Sequence, residues 1–305
     1  MSHYMPLSNE ILRKKAPSVF ATKPIEDVSD RYAFIPTISV VDVFRDSGWY
    51  PVEVKENSVR TLNKKGYQKH LIRFRHLDHI LTKEPDIPEI VLTNSHDKTS
   101  SFIIKLGVFR FVCENGLVVV SSMFESFNIR HIGYNTFKVE EAINRIVEYL
   151  PNLNEKISLY KSIELSHYEQ LSLAKAAKDI RFEDYHEIDY ESMLKVKRKG
   201  DEGNDLWKVF NRIEENSLRG GIKGRNVLTG RNFTSKPVTN IDKLLKINEK
   251  LFDITDRFAN IINCPSLSRP ISKNFYVHWL CYLLQLVLCN FDICKVNFIR
   301  CFITD

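Results

Sequence analysis

Apolar and polar residues alternate in several segments of the N-terminal half, and this period of two predicts β-strands between residues 31 and 137. Segments 50–60 and 67–77 show the alternation and are rich in β-branched and aromatic side chains. Two apolar runs, at 89–94 and 100–109, are separated by a short polar stretch that is typical of a hairpin turn. We therefore expect antiparallel strands in this half of the chain.

After Lys138 the apolar residues recur every three to four positions, which predicts amphipathic helices. The predicted helices are 139–150 closed by Pro151, 154–182, 205–219 with Asp205 as N-cap and Gly220 at its end, and 240–262, together with a short earlier helix at Ser39–Asp46. Because the strands precede the helices instead of alternating with them, the order predicts an α+β fold. An antiparallel, strand-rich N-terminal half is followed by a helical C-terminal half.

Composition divides the chain into three parts. Residues 1–30 are polar, contain three prolines and are predicted to form an irregular arm. Residues 31–263 form one α+β domain, strand-rich up to 137 and helical over 138–263. Residues 264–305 are an apolar tail that carries five of the six cysteines.

The tail has several interpretations. Its most apolar stretch, 275–291, has 17 residues and is interrupted by His278, Gln285 and Asn290, so it lies at the lower limit for a membrane-spanning helix. An amphipathic or buried helix, and a divergent, frameshifted or read-through end, are the other interpretations. We expect that the tail does not span a membrane.

Composition also bounds the class of protein. The 305 residues are 43% hydrophobic and 27% charged, which excludes a disordered chain, a collagen-like chain and a polytopic membrane protein. The N-terminal segment lacks the apolar region of a signal peptide. Cys113 is the single cysteine before residue 264, so no disulfide framework is expected. These features predict a cytoplasmic protein with reduced thiols.

The formal net charge of +6 is concentrated in two segments. Residues 60–83 hold seven basic residues and one acidic residue, and residues 195–236 hold eleven basic and five acidic residues. Within the second segment, 219–236 has five basic residues, four glycines and no acidic residue. Flexible backbone with arginine and lysine lets amide groups and guanidinium groups approach phosphate oxygens. This pattern indicates nucleic-acid binding.

The two segments supply eight candidate contacts to nucleic acid. They are Arg73, Arg75, Arg219, Gly220, Gly221, Lys223, Arg225 and Arg231. Three aromatic residues, Tyr67, Phe74 and Phe233, are candidates to stack on bases. The alternative is a solvated surface, a half-buried strand around Arg73 and Arg75, and a glycine-rich connector.

Sequence signatures of phosphate loops, dinucleotide sites, zinc proteases and serine hydrolases are missing from the chain. His96 and Asp97 lie in the polar turn, and together with His131 they are the candidates for acid–base or metal-assisted hydrolysis. The alternative is that these residues only build the turn. No His/Cys set has zinc spacing, so we expect no metal site, and no cofactor is expected.

Several short strings together resemble the phage/plasmid-like family known as domain of unknown function 932. They comprise Asn94, Ser95, His96, Arg110, Cys113, Asn115, Gly116, His131, Trp207, Asn211, Glu215, Asn216, Arg219, Gly220 and Gly221. The resemblance extends from about residue 34 to about residue 258 and stops before the tail. It implies a protein of a phage, prophage or plasmid and supplies no catalytic assignment.

Three functional hypotheses follow, in order of preference. The first is a DNA-binding accessory protein of a mobile element, which acts in recombination or replication and includes single strands among its partners. The second is a factor that binds a host protein and interferes with host defence. The third is a metal-dependent hydrolase. Homo-oligomerisation through the long amphipathic helices is compatible with each of them.

Overall fold

Strands dominate the first half of the chain and helices the second in the computed structural model, which describes residues 5–26, 34–82, 84, 86–110, 118–119, 127–129 and 137–263. The strands are β1 (Trp49–Glu56), β2 (His70–His76), β3 (Asp86–Asn94), β4 (Phe102–Arg110), β5 (Val118–Val119), β6 (Phe127–Ile129), β7 (His186–Ile188), β8 (Lys223–Asn226) and β9 (Asn232–Thr234). The helices are α1 (Asn9–Lys15), α2 (Thr37–Asp46), α3 (Leu77–Ile80), α4 (Phe137–Ser162), α5 (His167–Arg181), α6 (Tyr190–Leu194), α7 (Leu206–Arg219) and α8 (Ile241–Ile262). The predicted α+β fold is confirmed.

The first six strands form one antiparallel sheet. Its order is β1-β2-β3-β4, and both β5 and β6 pair with β4. In register, His70 lies opposite Glu56 on one side and Asn94 on the other. The predicted polar turn joins β3 to β4, which pair as an antiparallel hairpin.

The central strands of this sheet are buried on both faces. On one face Phe74 stacks on Phe44 of α2, with ring centroids 4.2 Å apart. On the other face Leu71 and Val91 pack against Leu218 of α7 and against the first turns of α8. Polar side chains on these strands therefore have no solvent-facing side and must find partners inside the protein.

Helix α7 is the most buried element of the helical half. Of residues 206–218 only Lys208 is not buried. Asp205 caps the helix by accepting a hydrogen bond from the Lys208 amide at 3.0 Å, as predicted. Trp207 and Phe210 stack in the core, with their ring centroids 5.2 Å apart.

Strands β7, β8 and β9 form a second, small antiparallel sheet. The β8–β9 hairpin is anchored by Phe233, whose ring packs against Phe182 at 6.0 Å and His186 at 4.9 Å. The rest of the hairpin is largely exposed. The sequence pattern did not predict this sheet, because its strands are only three or four residues long.

Two helical boundaries differ from the prediction. The predicted irregular arm contains α1, which Ser8 caps and whose Leu12 is fully buried. Pro151 lies inside α4 instead of ending it. Pro151 is exposed, and so is Val147, the residue whose carbonyl loses its hydrogen bond, so this helix face can be hydrated.

The predicted helix at 154–182 is two helices, because α4 ends at Ser162 and α5 begins after Ser166. Ser166 and Glu169 form a capping box, which starts a new helix. The part of the chain that the structure describes holds no helix long and apolar enough to cross a membrane. The tail at 264–305 lies outside the described residues.

Candidate functional site

The first basic segment separates into an exposed loop and a buried strand. The loop between β1 and β2 carries Arg60 and Lys65 on the surface, and the half-exposed Lys64 lies 3.7 Å from Asp97. Arg60 and Lys65 make no ion pair with any described residue. Lys69, at the start of β2, is buried in an ion pair with Asp242 of α8.

Arg73 and Arg75 are part of the core and do not form a phosphate-binding surface. Their side chains are 5% and 1% exposed, and both guanidinium groups bind the buried Glu89, at 2.5 Å and 2.7 Å. Both also lie over the ring of Phe109, at 4.7 Å and 4.6 Å. A fully buried carboxylate needs such partners. Arg73 and Arg75 are therefore excluded from the candidate nucleic-acid interface.

The second basic segment forms the exposed β8–β9 hairpin. Lys223, Arg225, Arg231 and Lys236 are all exposed. Arg225 is the register partner of Glu187 in β7, and the Lys223 carbonyl accepts from the amide of Asp189, which follows β7. Opposite charges across neighbouring strands favour pairing, which applies here to Arg225 and Glu187.

Arg231 and Lys236 flank β9, the second strand of the hairpin, and their side chains make no ion pair with a described residue. Arg231 follows the turn, and Lys236 follows β9. Together with Arg60 and Lys65 of the β1–β2 loop they are four exposed cations available to a polyanion. We call these four residues the basic rim.

Gly220 and Gly221 serve the base of the hairpin. Gly220 has φ +80°, and a Cβ atom there would lie 2.4 Å from the Ser235 carbonyl oxygen. The Gly221 amide donates to that same carbonyl at 2.9 Å. Because these glycines have no side chains, the backbone at Ser235 can pack directly against them. That backbone fills the space at Gly220, so a phosphate cannot bind there.

Arg219 lies beside these glycines at the end of α7. Its Nε atom lies 3.5 Å from Glu215, which also binds Arg198 at 3.0 Å. Lys197 donates to the Gly220 carbonyl at 3.0 Å, and burial lowers its pKa. Arg219 is therefore one member of a mixed-charge cluster under the hairpin, with a side chain 38% exposed.

The β1–β2 loop and the segment that leads from the hairpin into α8 meet at the first turn of α8. The Ile241 amide donates to the Asn57 side chain of the β1–β2 loop at 3.1 Å, and Lys69 pairs with Asp242. Six residues, 235–240, connect β9 to this turn. A cleft of about 370 Å³ lies at the junction. It is lined mainly by polar residues, among them Asn57, Gln68, Asp97, Thr99 and Asn240.

None of the three aromatic candidates forms an open stacking platform. Phe74 and Phe233 pack in the core clusters, and Tyr67 is half-buried, with its carbonyl accepting from the His96 amide at 2.8 Å. An exposed aromatic ring occurs instead at Tyr185, which is 37% exposed beside the hairpin turn. Sequence reasoning missed Tyr185, because only the pairing of β7 with β8 places it there.

His96 and Asp97 point in different directions. His96 is fully buried and contacts Thr37 at 3.2 Å, whereas Asp97 lines the cleft and accepts from the Thr99 amide at 3.2 Å. His131 lies outside the described residues. Within the described ranges, no group of three or more histidine, cysteine, aspartate or glutamate residues is arranged to hold a metal.

His96 belongs to a buried polar cluster that sequence reasoning did not single out. His70 contacts Ser18 Oγ through Nδ1 at 2.8 Å and Thr37 Oγ1 through Nε2 at 2.9 Å. Asn94 donates to the same Thr37 oxygen at 3.0 Å. The signal was available, because alternation places His70 on the core face with Ile72 and Phe74.

The electrostatics of this cluster favour neutral histidine. Burial, the largest cause, and the nearby His96 together lower the pKa of His70 from 6.5 to about 3. A neutral His70 with its proton on Nδ1 can donate toward the Gln68 carbonyl at 3.3 Å and accept from the Thr37 hydroxyl. The cluster thus ties α2 and the N-terminal arm to the sheet.

Comparison with known proteins identifies the family. The chain belongs to the family described as Domain of unknown function (DUF932), which matches residues 24–251. UPF0380 protein YafZ of Escherichia coli (strain K12) is 38% identical over 248 residues, which cover 81% of this chain and 89% of that protein. UPF0380 protein YfjQ of the same strain shows the same identity and coverage. No solved structure matches the chain.

The resemblance read from the sequence is therefore confirmed, and several residues that carry it have structural roles. Asn216 donates to the carbonyls of Met193 and Lys195, at 2.8 Å and 2.9 Å, and so holds the segment after α6. The side-chain amide of Asn211 donates to the Trp207 carbonyl at 2.6 Å. Cys113, Asn115, Gly116 and His131, and the side chain of Arg110, lie outside the described residues.

Proposed function

We propose that this protein binds nucleic acid through the basic rim, as an accessory protein in DNA recombination or replication of a mobile element. The observation that carries the proposal is the placement of Arg60, Lys65, Arg231 and Lys236. All four are exposed and lack a carboxylate partner among the described residues. Arg60 and Lys65 lie in the loop whose Asn57 contacts the first turn of α8, and Lys236 lies in the segment that leads into that helix.

Phosphate backbones are bound mainly by such exposed cations, which displace condensed counterions. Buried or paired cations cannot do this without breaking their own ion pairs. The rim therefore replaces Arg73 and Arg75 as the expected phosphate contacts. Lys223 and Arg225 add positive charge on the face of the hairpin that they share with Glu187.

The polar cleft at the junction supports the same proposal. Its lining includes side-chain amides and hydroxyls, such as Asn57, Ser58, Gln68 and Thr239, which donate hydrogen bonds to sugars, phosphates and bases. Asp97 and Asp242 also line it and are already close to Lys64 and Lys69. A strand that crosses the junction would pass the β1–β2 loop and the segment that holds Lys236.

The test measures the affinity of the full chain for labelled single-stranded and duplex DNA at low salt. Two double charge reversals are made, Arg60→Glu with Lys65→Glu, and Arg231→Glu with Lys236→Glu. We expect each pair to weaken binding about tenfold or more, because two phosphate contacts become repulsive. Circular dichroism checks that both variants fold.

The matched control is Lys14→Glu with Lys15→Glu, two exposed lysines at the end of α1. This pair changes the net charge by the same amount at another site, so it should alter the affinity less than either rim pair. Wild-type affinity in both rim variants would contradict the proposed interface. No binding by the wild type at low salt would remove nucleic acid as the partner and favour a protein partner.

A further inference from the structure

The turn of the β8–β9 hairpin exposes apolar surface between positive charges. Leu228 is 76% exposed and Val227 is 48% exposed, and the Val227 amide donates to the Tyr185 carbonyl at 2.9 Å. We call Tyr185, Val227 and Leu228 the tip cluster. Arg225 and Arg231 lie on either side of the turn. The Arg225 side chain reaches back over the turn, since its Nη2 atom would lie 3.9 Å from a Cβ atom added to Gly230.

The turn is preformed. The Asn226 side chain accepts hydrogen bonds from the amides of Leu228 and Thr229, both at 3.0 Å. The Asn226 amide donates to the Arg231 carbonyl at 2.9 Å, and Gly230 supplies a positive φ of +67°. Such a turn holds exposed apolar side chains out from the surface without a further loss of chain entropy on binding.

We propose that the tip cluster contacts nucleobases and separates them from their neighbours, at unpaired or terminal positions of DNA. This inference rests on the proposed function and names the part of the nucleic acid that the hairpin meets. Aliphatic side chains inserted at base steps unstack them, and an aromatic ring beside them offers a stacking surface. Arg225 and Arg231 would then hold the flanking phosphates.

Charge favours nucleic acid over an anionic lipid surface as the occupant. The hairpin segment 219–236 contains no acidic residue, which suits a polyanion. The exposed Glu183 and Asp184 precede Tyr185, so their carboxylates repel phosphates from the Tyr185 side of the tip cluster. Bases are uncharged and are not repelled there. The same carboxylates oppose an anionic lipid surface. A second copy of this chain or another protein is the remaining alternative.

The experiment uses the full chain with DNA that carries 2-aminopurine, a base whose fluorescence rises when it loses its stacked neighbours. One probe is a single strand and the other is a duplex with the analogue at its end. We expect the wild type to raise the fluorescence of both probes. The variant Val227→Ser with Leu228→Ser should lose most of that rise and keep its affinity at low salt within about threefold, because the basic rim is intact.

Leu81→Ser is the matched control, because Leu81 is 83% exposed on another surface. It should leave both affinity and fluorescence unchanged. DNA binding without a fluorescence rise, or an equal rise in the serine variant, would overturn the inference and leave the proposed function standing. Absence of DNA binding would overturn both. A dimer in sedimentation that the serine variant loses, without any fluorescence effect, would assign the tip to self-association instead.

Discussion

Single residues decide which cations of this protein can meet a ligand. Arg60 and Arg73 are similar in the sequence, since each is basic and lies within the same positively charged segment. Arg73 belongs to a strand whose two faces are both covered, and it pairs with Glu89. Glu89 lies 16 residues away along the chain, so its role depends on the register of β2 with β3.

Removal of the Glu89 charge should be costly. Glu89→Gln leaves Arg73 and Arg75 buried with one partner charge fewer, and we expect a loss of about 3 kcal/mol or more in the free energy of unfolding. Urea unfolding at neutral pH measures it. Glu141→Gln removes the partner of Arg145 in an exposed pair on α4 and should cost less than about 0.5 kcal/mol. Equal effects would mean that the Glu89 pair is not buried.

The stability of the protein should also depend on His70. Its folded pKa of about 3 lies below the ordinary value of 6.5, so the unfolded state binds more protons between these two values. The stabilising contribution is complete above pH 6.5 and is lost as the pH falls toward 3. Between pH 7 and pH 5 we expect a loss of roughly 2 kcal/mol from this group.

Urea unfolding at several pH values tests this linkage. His70→Gln should give a flatter profile over that range, whereas the exposed His167→Gln should follow the wild type. If the wild type and His70→Gln lose stability in parallel as the pH falls, His70 is not held neutral in the folded state.

Elements were predictable where their signals are local and long. The alternation of β1 to β4, the Asp205 cap and the apolar stripe of α8 all agree with the structure. The break between α4 and α5 was missed, although the capping box at Ser166 was present in the sequence. The short strands β7 to β9 carry too few residues for a period to be detected.

The base of the hairpin is an element-scale feature that mutation can test. Gly220→Ala combines a positive φ with a Cβ atom 2.4 Å from the Ser235 oxygen, so we expect a destabilisation of about 3 kcal/mol. Gly66 has a similar φ of +89°, but a Cβ atom added there would meet no atom within 4 Å. Gly66→Ala should therefore lower the free energy of unfolding by only about 1 kcal/mol. Thermal unfolding of the two variants separates steric crowding from backbone strain. Equal losses would mean that the hairpin base can move aside.

At the scale of the whole molecule, the basic rim depends on the tertiary structure, because its residues come from distant parts of the chain. The sequence located both basic segments, but it could not show that Arg73 and Arg75 face inward or that the two segments meet at the start of α8. The hydrogen bond from Ile241 to Asn57 joins residues 184 positions apart. Such contacts have no local signal, so the candidate interface was predicted only in part, through Arg231 and the neighbouring hairpin cations.

The salt dependence of DNA binding tests the central claim most directly. Four rim contacts to a single strand predict that the logarithm of the association constant falls with the logarithm of salt concentration with a slope of about −3. The Arg231→Glu, Lys236→Glu variant should reduce the magnitude of that slope by about half. A slope near zero, or a steep slope that both rim variants retain in full, would contradict the account.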